Sequence, residues 1–406
     1  MRPALRRLAL LFFLLALGVY WAGLWAHRGE PFPQSRWPYF TYYARALLDG
    51  SLHFTELPPA RLDLAQYQGR LYLHQPPFPA LVLAPAVALF GTALPDRFVC
   101  VLLAALNGLG FFTLLGALDR HGGLPVPPVA RVVLTLFFLF GTVHFYLAMT
   151  GNPWELAHIV CNGLVIAALH LALRRHWLAA AAVWAAVLWT RHHVFLAAPA
   201  LLGLYWMLEG RAGRDTRSRL RGLVPVLALW TAAVALLLAF NQARFDDPLE
   251  TGISHHLMHE GFRERFERYG YFDLAYLPRN AHALLLAAPE LTDSPPWIRL
   301  SPTGMSLFLT SPLYLYLFAS LRRPHRTLAL WLWAGVLPVL VPILLLMGTG
   351  ELQFGHRYSS DVQVLLVLLT YLGMGPHPGR VAWALLALSI GINAWGAAWF
   401  VSGFSQ

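Results

Sequence analysis

A stretch of about twenty apolar residues satisfies its backbone in lipid only as a helix, and this chain contains such stretches from one end to the other. They fall at 8–26, 98–118, 129–148, 155–173, 177–190, 194–208, 222–240, 304–321, 328–347, 359–375 and 381–401. The pattern predicts an all-α, polytopic transmembrane protein of about eleven spans with no strand to speak of. Charge agrees: only 12% of the 406 residues are Asp, Glu, Lys or Arg, against about 25% in soluble globular chains. An ordinary cytosolic enzyme is thereby excluded.

All 30 basic residues are Arg and none is Lys, so Schiff-base and Walker-lysine chemistry are excluded with it. The formal charge of +10 does not indicate nucleic acid, because the arginines are dispersed between apolar runs instead of covering one soluble face. Cys100 and Cys161 both lie inside apolar runs and cannot make a disulfide framework or a structural zinc site. No HExxH, GxSxG, SxxK or P-loop pattern occurs.

The arginines instead record topology. Arg2, Arg6 and Arg7 precede the first run and predict a cytoplasmic N-terminus. One further apolar segment, 78–91, is short, follows Pro76-Pro77 and contains Pro79 and Pro85. If it does not cross, the loops holding Arg120, Arg174-Arg175, Arg211 to Arg221, Arg322/Arg323/Arg326 and Arg380 all face the cytoplasm. Parity and the positive-inside bias thus predict an interfacial or re-entrant helix at 78–91. The same logic divides 177–190 from 194–208 at an outer turn, Arg191-His192-His193. Two long outer loops follow, 27–97 and 241–303, with a helical pattern at 39–48 that stops at Asp49-Gly50. The second loop has a charged helical pattern near 255–269, an apolar one near 274–288, and then Pro295-Pro296. The chain divides into residues 1–208 and 209–406, one long outer loop in each. Sixteen arginines fall on the cytoplasmic side, and outside the two long loops only Arg191 and Arg357 face out. Those exceptions mark where a phosphate would be sought.

Ionisable residues at membrane depth point to function. Glu155 and His158 are three apart at the start of a helix and share a face. They suit a shared divalent metal, or a carboxylate that orients or deprotonates a hydroxyl, with His144 at similar depth on the preceding helix. The plain alternative is an acid favoured by the helix dipole beside an interfacial His. His74 precedes Pro76-Pro77, where a helix N-terminus favours a phosphate, and Arg97 at the mouth of the next span offers a second ligand. Arg357, in Glu351 to Asp361, has the planar geometry for phosphate, or pairs with Asp361 at helical spacing. His255, His256 and His259 have no further metal ligand in view and predict a solvated loop helix; Arg279-Asn280 is a further ligand candidate.

Taken in order, these residues resemble the GT-C class of membrane glycosyltransferases, in its protein-mannosyltransferase and aminoarabinose-transferase-like (glycosyltransferase family 39-like) bacterial branch. The likeness rests on Tyr42 to Gly50, on His74-Gln75-Pro76-Pro77 with the apolar helix ending at Gly91, and on Arg97, Glu155 and Thr190-Arg191. Ser311-Pro312 and His356 to Asp361 extend it into the second half. The resemblance implies a non-crossing helix in the first outer loop and a sugar donor on a polyprenyl phosphate, used by inverting displacement at the outer face of the cytoplasmic membrane. It also implies a carboxylate base, with metal or basic residues at the leaving phosphate. Arg36 and Trp37 stand where the family carries acids, which leaves Glu30 or Glu155 for that role. The competing reading is a non-catalytic binder or transporter of polyprenyl-linked or other anionic lipid, although the matched half-repeats common in transporters are not evident.

Overall fold

In the computed structural model, residues 3–294, 297–301, 303–322, 324–350 and 352–403 are described. Arg2, Pro295, Pro296, Arg323 and Glu351 lie outside them. Helix α1 (Pro3–Arg28) leads to α2 (Tyr39–Leu48), a hairpin of β1 (Ala65–Tyr67) and β2 (Arg70–Tyr72), and α3 (Phe78–Phe90). Then come α4 (Asp96–His121), α5 (Pro128–Phe140), α6 (His144–Thr150), α7 (Pro153–Leu173), α8 (Trp177–Leu188), α9 (Ala198–Arg211) and α10 (Thr216–Phe245). The second long loop holds α11 (Glu260–Tyr269), α12 (Leu277–Leu285) and a hairpin of β3 (Glu290–Leu291) and β4 (Ile298–Arg299). The chain closes with α13 (Leu307–Thr310), α14 (Arg326–Leu345), α15 (Gln363–Met374) and α16 (Arg380–Gly403).

Among the described residues, seven helices are long and apolar enough to cross a membrane, or eight if α5 and α6, bent by 46° at Gly141 to Val143, count as one. The expectation of eleven counted 177–190, 304–321 and 359–375 as well. There the structure has a 12-residue α8, an eight-residue 3₁₀ segment Pro312–Ala319 and a 12-residue α15. At 1.5 Å per residue, twelve residues reach only about 18 Å, short of the ~30 Å hydrocarbon layer. Hydropathy reports apolar length, not unbroken helix, and Pro312 interrupts the second of these runs.

Strands are the second correction, since the all-helical expectation misses two hairpins. Ala65 pairs with Tyr72 and Tyr67 with Arg70 around Gln68-Gly69, both at positive φ (47° and 75°), which is the twist a two-residue hairpin turn requires. Three-residue strands give almost no alternation to read. The hairpin gains a neighbour from the other long loop: Gln66 N–H donates to His255 O (2.9 Å), Leu257 N–H to Leu64 O (2.7 Å) and Asp63 N–H to Leu257 O (2.9 Å). Arg244, at the end of α10, donates to Leu73 O (2.7 Å) and Asn241 Oδ1 (2.8 Å). The two long loops therefore form one roof at one end of the bundle.

Arginines of the short loops meet their partners at the opposite end. Arg131 meets Asp119 at 2.6 Å, and the buried Glu209 takes Arg175, Arg214 and Trp177 Nε1, each at 2.8 Å. Helix α8 starts beside Glu209 and ends at Leu188, just before Thr190-Arg191 under the roof; 192–211 then returns. Helix α3 begins with Phe78 N–H on Trp189 O (2.9 Å), and beyond its C-terminus Gln34 Nε2 donates to Leu94 O (3.2 Å). Both ends of α3 thus lie at the roof, and it does not cross the bundle.

Asn280 was a ligand candidate, but its buried amide donates to Ile343 O (3.3 Å), Leu344 O (3.0 Å) and Leu346 O (2.7 Å). These are carbonyls at the C-terminal end of α14, which that helix cannot bond itself. Replacing Asn280→Ala is expected to destabilise the fold by about 1–3 kcal/mol, the cost of stranding buried acceptors. Thermal unfolding in detergent would show it; an unchanged midpoint would deny Asn280 this structural role.

Candidate functional site

Under the roof lies a cavity of about 340 Å³. His74, Trp154, His158, Arg191, His192, His193, Tyr271, Arg357 and Tyr358 supply its polar and aromatic wall, and Ile253, Pro342, Ile343 and Leu346 an apolar one. It is where helices break: α8 stops at Leu188, 192–197 and 357–362 are 3₁₀ turns, and α14 ends at Leu345 after Pro338 and Pro342. Irregular backbone at such depth is tolerated where it lines a cavity.

One face of α7 organises the polar part. Its residues 155, 158 and 162 follow the i, i+3, i+7 stripe and dock on the 357–362 turn. Glu155 Oε1 faces Arg357 Nη1 at 3.7 Å, His158 Nδ1 meets Asp361 Oδ1 at 2.9 Å, and Asn162 Nδ2 donates to Ser360 Oγ at 2.8 Å. The second bond makes Asp361 a hub. Its other oxygen accepts from Arg191 Nη2 (2.9 Å) and meets His193 Nε2 (2.7 Å), and the carboxylate is fully buried. The alternative of an Arg357–Asp361 pair is not realised. With three residues per turn in a 3₁₀ segment, positions four apart point in different directions, so each finds a partner on another helix.

Arg191 and Arg357 converge. Their guanidinium carbons lie 5.8 and 5.5 Å from the Tyr358 ring centroid, on the wall of the same cavity. Each is balanced by one carboxylate, and Arg357 Nε has no hydrogen-bond partner. Such planar donors suit a phosphate that brings its own charge.

The other expected site residues are placed as follows. His74 lines the cavity and packs against His256, the two rings tilted by 37° with centroids 4.3 Å apart. Burial, helped by His256, drives its imidazole down to about 3, so at neutral pH it is an uncharged hydrogen-bonding group. His256 Nε2 sits 3.3 Å from Asp63, and the ring belongs to the paired loop segment, not the solvated helix expected there. Burial alone would raise the Asp63 carboxyl, but the bond and charge of His256 hold it below the usual carboxylate range.

Arg97 is buried at the start of α4, where Nη2 donates to Asn152 Oδ1 (3.1 Å) and steadies the entry to α7. Gly151, at φ 60°, lets Arg97 approach: a Cβ there would lie 2.9 Å from the Arg97 Cα. His144 is buried away from the cavity, its Nδ1 3.2 Å from the Tyr20 hydroxyl and its ring against Phe138. Glu30 and Arg279 are exposed and line no part of the cavity. Glu155 touches the site through Arg357 rather than lining it.

The suggested metal pair does not fit. Glu155 faces a guanidinium and His158 faces Asp361, and among the described residues no three His, Cys, Asp or Glu side chains gather to hold an ion.

Sequence reasoning missed Asp361 as hub, together with His193, Asp63 and His256. The one available signal was Arg191: an arginine that breaks the charge pattern, as Arg357 does, and meets it in space.

The fold as a whole is similar to one already solved. The likeness is to a solved structure, "Crystal Structure of ArnT from Cupriavidus metallidurans bound to Undecaprenyl phosphate", with a TM-score of 0.54 at 17% identity. It covers 95% of this chain and 63% of that one, so the chain spans under two thirds of the length of the protein it matches. No family model and no curated protein sequence matches the chain.

Proposed function

We propose that the protein transfers a sugar from a polyprenyl-phosphate donor to an acceptor hydroxyl, with inversion, at the roofed end of the bundle. The arginine distribution supports an outer face of the cytoplasmic membrane for that end. One observation carries this reading: Arg191 and Arg357, the two arginines that break the charge pattern, meet at one cavity around Tyr358. The fold is shared with a protein crystallised with undecaprenyl phosphate. In this reading Arg191 and Arg357 hold the phosphate and take up the charge that develops on it as the glycosidic bond breaks. Neutral His74 adds a hydrogen bond. Glu155 positions Arg357, and Trp154, Tyr271 and Tyr358 offer aromatic faces to the sugar. Pro342, Ile343 and Leu346 give an apolar wall for the first isoprene unit.

The purified protein is expected to carry a polyprenyl phosphate lipid visible by native mass spectrometry. It should also release undecaprenyl phosphate from at least one member of a series of undecaprenyl-phosphate hexoses. Lipid that is bound but never consumed would favour a non-catalytic binder, and no bound lipid would sink the reading altogether.

A further inference from the structure

The base that activates the acceptor is taken in the sequence reading to be a carboxylate. The geometry of the cavity points elsewhere. Glu155 Oε1 is engaged with Arg357 and the residue does not line the cavity. Asp361 lies behind the wall and is enclosed by His158, Arg191 and His193. His158 does line the cavity, is 1% exposed, and its Nε2 has no hydrogen-bond partner.

We propose that His158 is the general base of the transfer and that Asp361 is its positioning residue; the assignment rests on the transferase reading above. An ionised carboxylate only accepts hydrogen bonds. The 2.9 Å contact of Asp361 with Nδ1 therefore puts the His158 proton on Nδ1 and leaves a lone pair on Nε2, which is buried and unpartnered on a residue that lines the cavity. A base with its orienting partner behind it is the arrangement that hydroxyl activation needs. Asp361 is fixed in turn by Arg191, whose Nη2 bonds its other oxygen at 2.9 Å, and by His193. The groups around the ring are thus Asp361, Arg191, Arg357 and Tyr358, whose ring centroid is 6.1 Å away.

The step balances without a further reagent. The acceptor oxygen forms a bond to the anomeric carbon as its proton passes to His158 Nε2. The bond from that carbon to the phosphate oxygen breaks, and its electron pair leaves with polyprenyl phosphate beside Arg191 and Arg357. The imidazolium returns its proton to water when products depart. The same two arginines thus serve two ends of one displacement: Arg191 steadies the acid that orients the base, and with Arg357 it faces the leaving group.

Two measurements on the full chain in nanodiscs test this. The first is release of undecaprenyl phosphate from the undecaprenyl-phosphate hexose series. His158→Asn keeps a donor toward Asp361 but removes the base. It is expected to lower kcat by about 10²–10⁴-fold while leaving the KM for donor and the binding of undecaprenyl phosphate within threefold of the unaltered protein. His158→Ala should regain turnover when free imidazole is added, which a merely structural role would not allow and which covers any loss of fold in the first variant. Turnover by His158→Asn within threefold of the unaltered protein, or no rescue of His158→Ala by imidazole, overturns the assignment alone. Failure of the unaltered protein to turn over any of the series overturns the transferase reading and this assignment with it. The second measurement needs no turnover: diethyl pyrocarbonate should modify His158, and undecaprenyl phosphate should protect it. Modification of other cavity histidines with His158 untouched would overturn the free Nε2 on which the proposal stands.

Discussion

Asp361→Ala is expected to be the most damaging single substitution in the protein, because one buried carboxylate answers three basic side chains from two other parts of the chain. Removing it leaves the half-buried Arg191 guanidinium without its counter-charge, a change that costs up to about 3–5 kcal/mol in buried ion pairs. The three elements it joins, α7, the turn at 191–193 and the turn at 357–362, would lose their common tie. A lowered unfolding midpoint in detergent and loss of turnover should appear together. Asp361→Asn separates the two effects, since it preserves volume but no longer dictates which nitrogen of His158 carries the proton. Turnover is expected to fall by about 10²–10⁴-fold, with the fold retained. Nitrogen NMR of histidine-labelled protein should show His158 losing its fixed tautomer. An Asp361→Asn protein with unchanged turnover and an unchanged His158 spectrum would remove Asp361 from the mechanism.

Arg357→Ala is expected to weaken binding of undecaprenyl phosphate and to lower kcat/KM for the donor by about 10²–10³-fold, the usual cost of losing one charged donor to a developing anion. The same substitution strands Glu155, whose Oε1 faces Arg357 at 3.7 Å and whose Oε2 is buried without a hydrogen-bond partner. A double-mutant cycle with Glu155→Gln distinguishes the two consequences. Glu155→Gln removes the stranded charge, so the pair should recover much of the stability lost in Arg357→Ala but none of the donor binding. Recovery of donor binding would mean that Arg357 acts only as the counter-ion of Glu155. If Glu155→Gln alone leaves donor affinity intact but abolishes turnover, Glu155 is the base and His158 is not.

Much of the fold was legible in the sequence because it depends on local rules. The apolar runs predicted the long helices, Asp49-Gly50 predicted the end of α2 after Leu48, and the prolines around 78–91 with the arginine count predicted a helix that does not cross. The shorter runs were over-read, since an apolar run does not reveal that its backbone turns to 3₁₀ at Pro312 or Arg357. The β1–β2 hairpin was invisible because three-residue strands carry no period, and its partner lies some 190 residues further along the chain, a separation of about that size between Ala65 and His256.

The site divides in the same way. Spacing placed Glu155 and His158 on one helical face, and the charge pattern singled out Arg191 and Arg357; both follow from residues close in sequence or from counting charges by loop. What the spacing could not supply was the partner. Asn280 had the same polar signature as a ligand, yet it caps the carbonyls at the end of α14. His256 read as solvated, yet it packs on His74 beside Asp63. Asp361 had a mate in view only as the alternative partner of Arg357, yet it gathers His158, Arg191 and His193. By itself the sequence determined that the chain is a helical membrane protein, how its arginines are shared among its loops, and which residues are too costly in lipid to be there without cause. Only the tertiary structure decided how those costs are met, because a buried charge is stabilised by whatever stands within about 3 Å of it, and that neighbour is set by how distant helices break and pack.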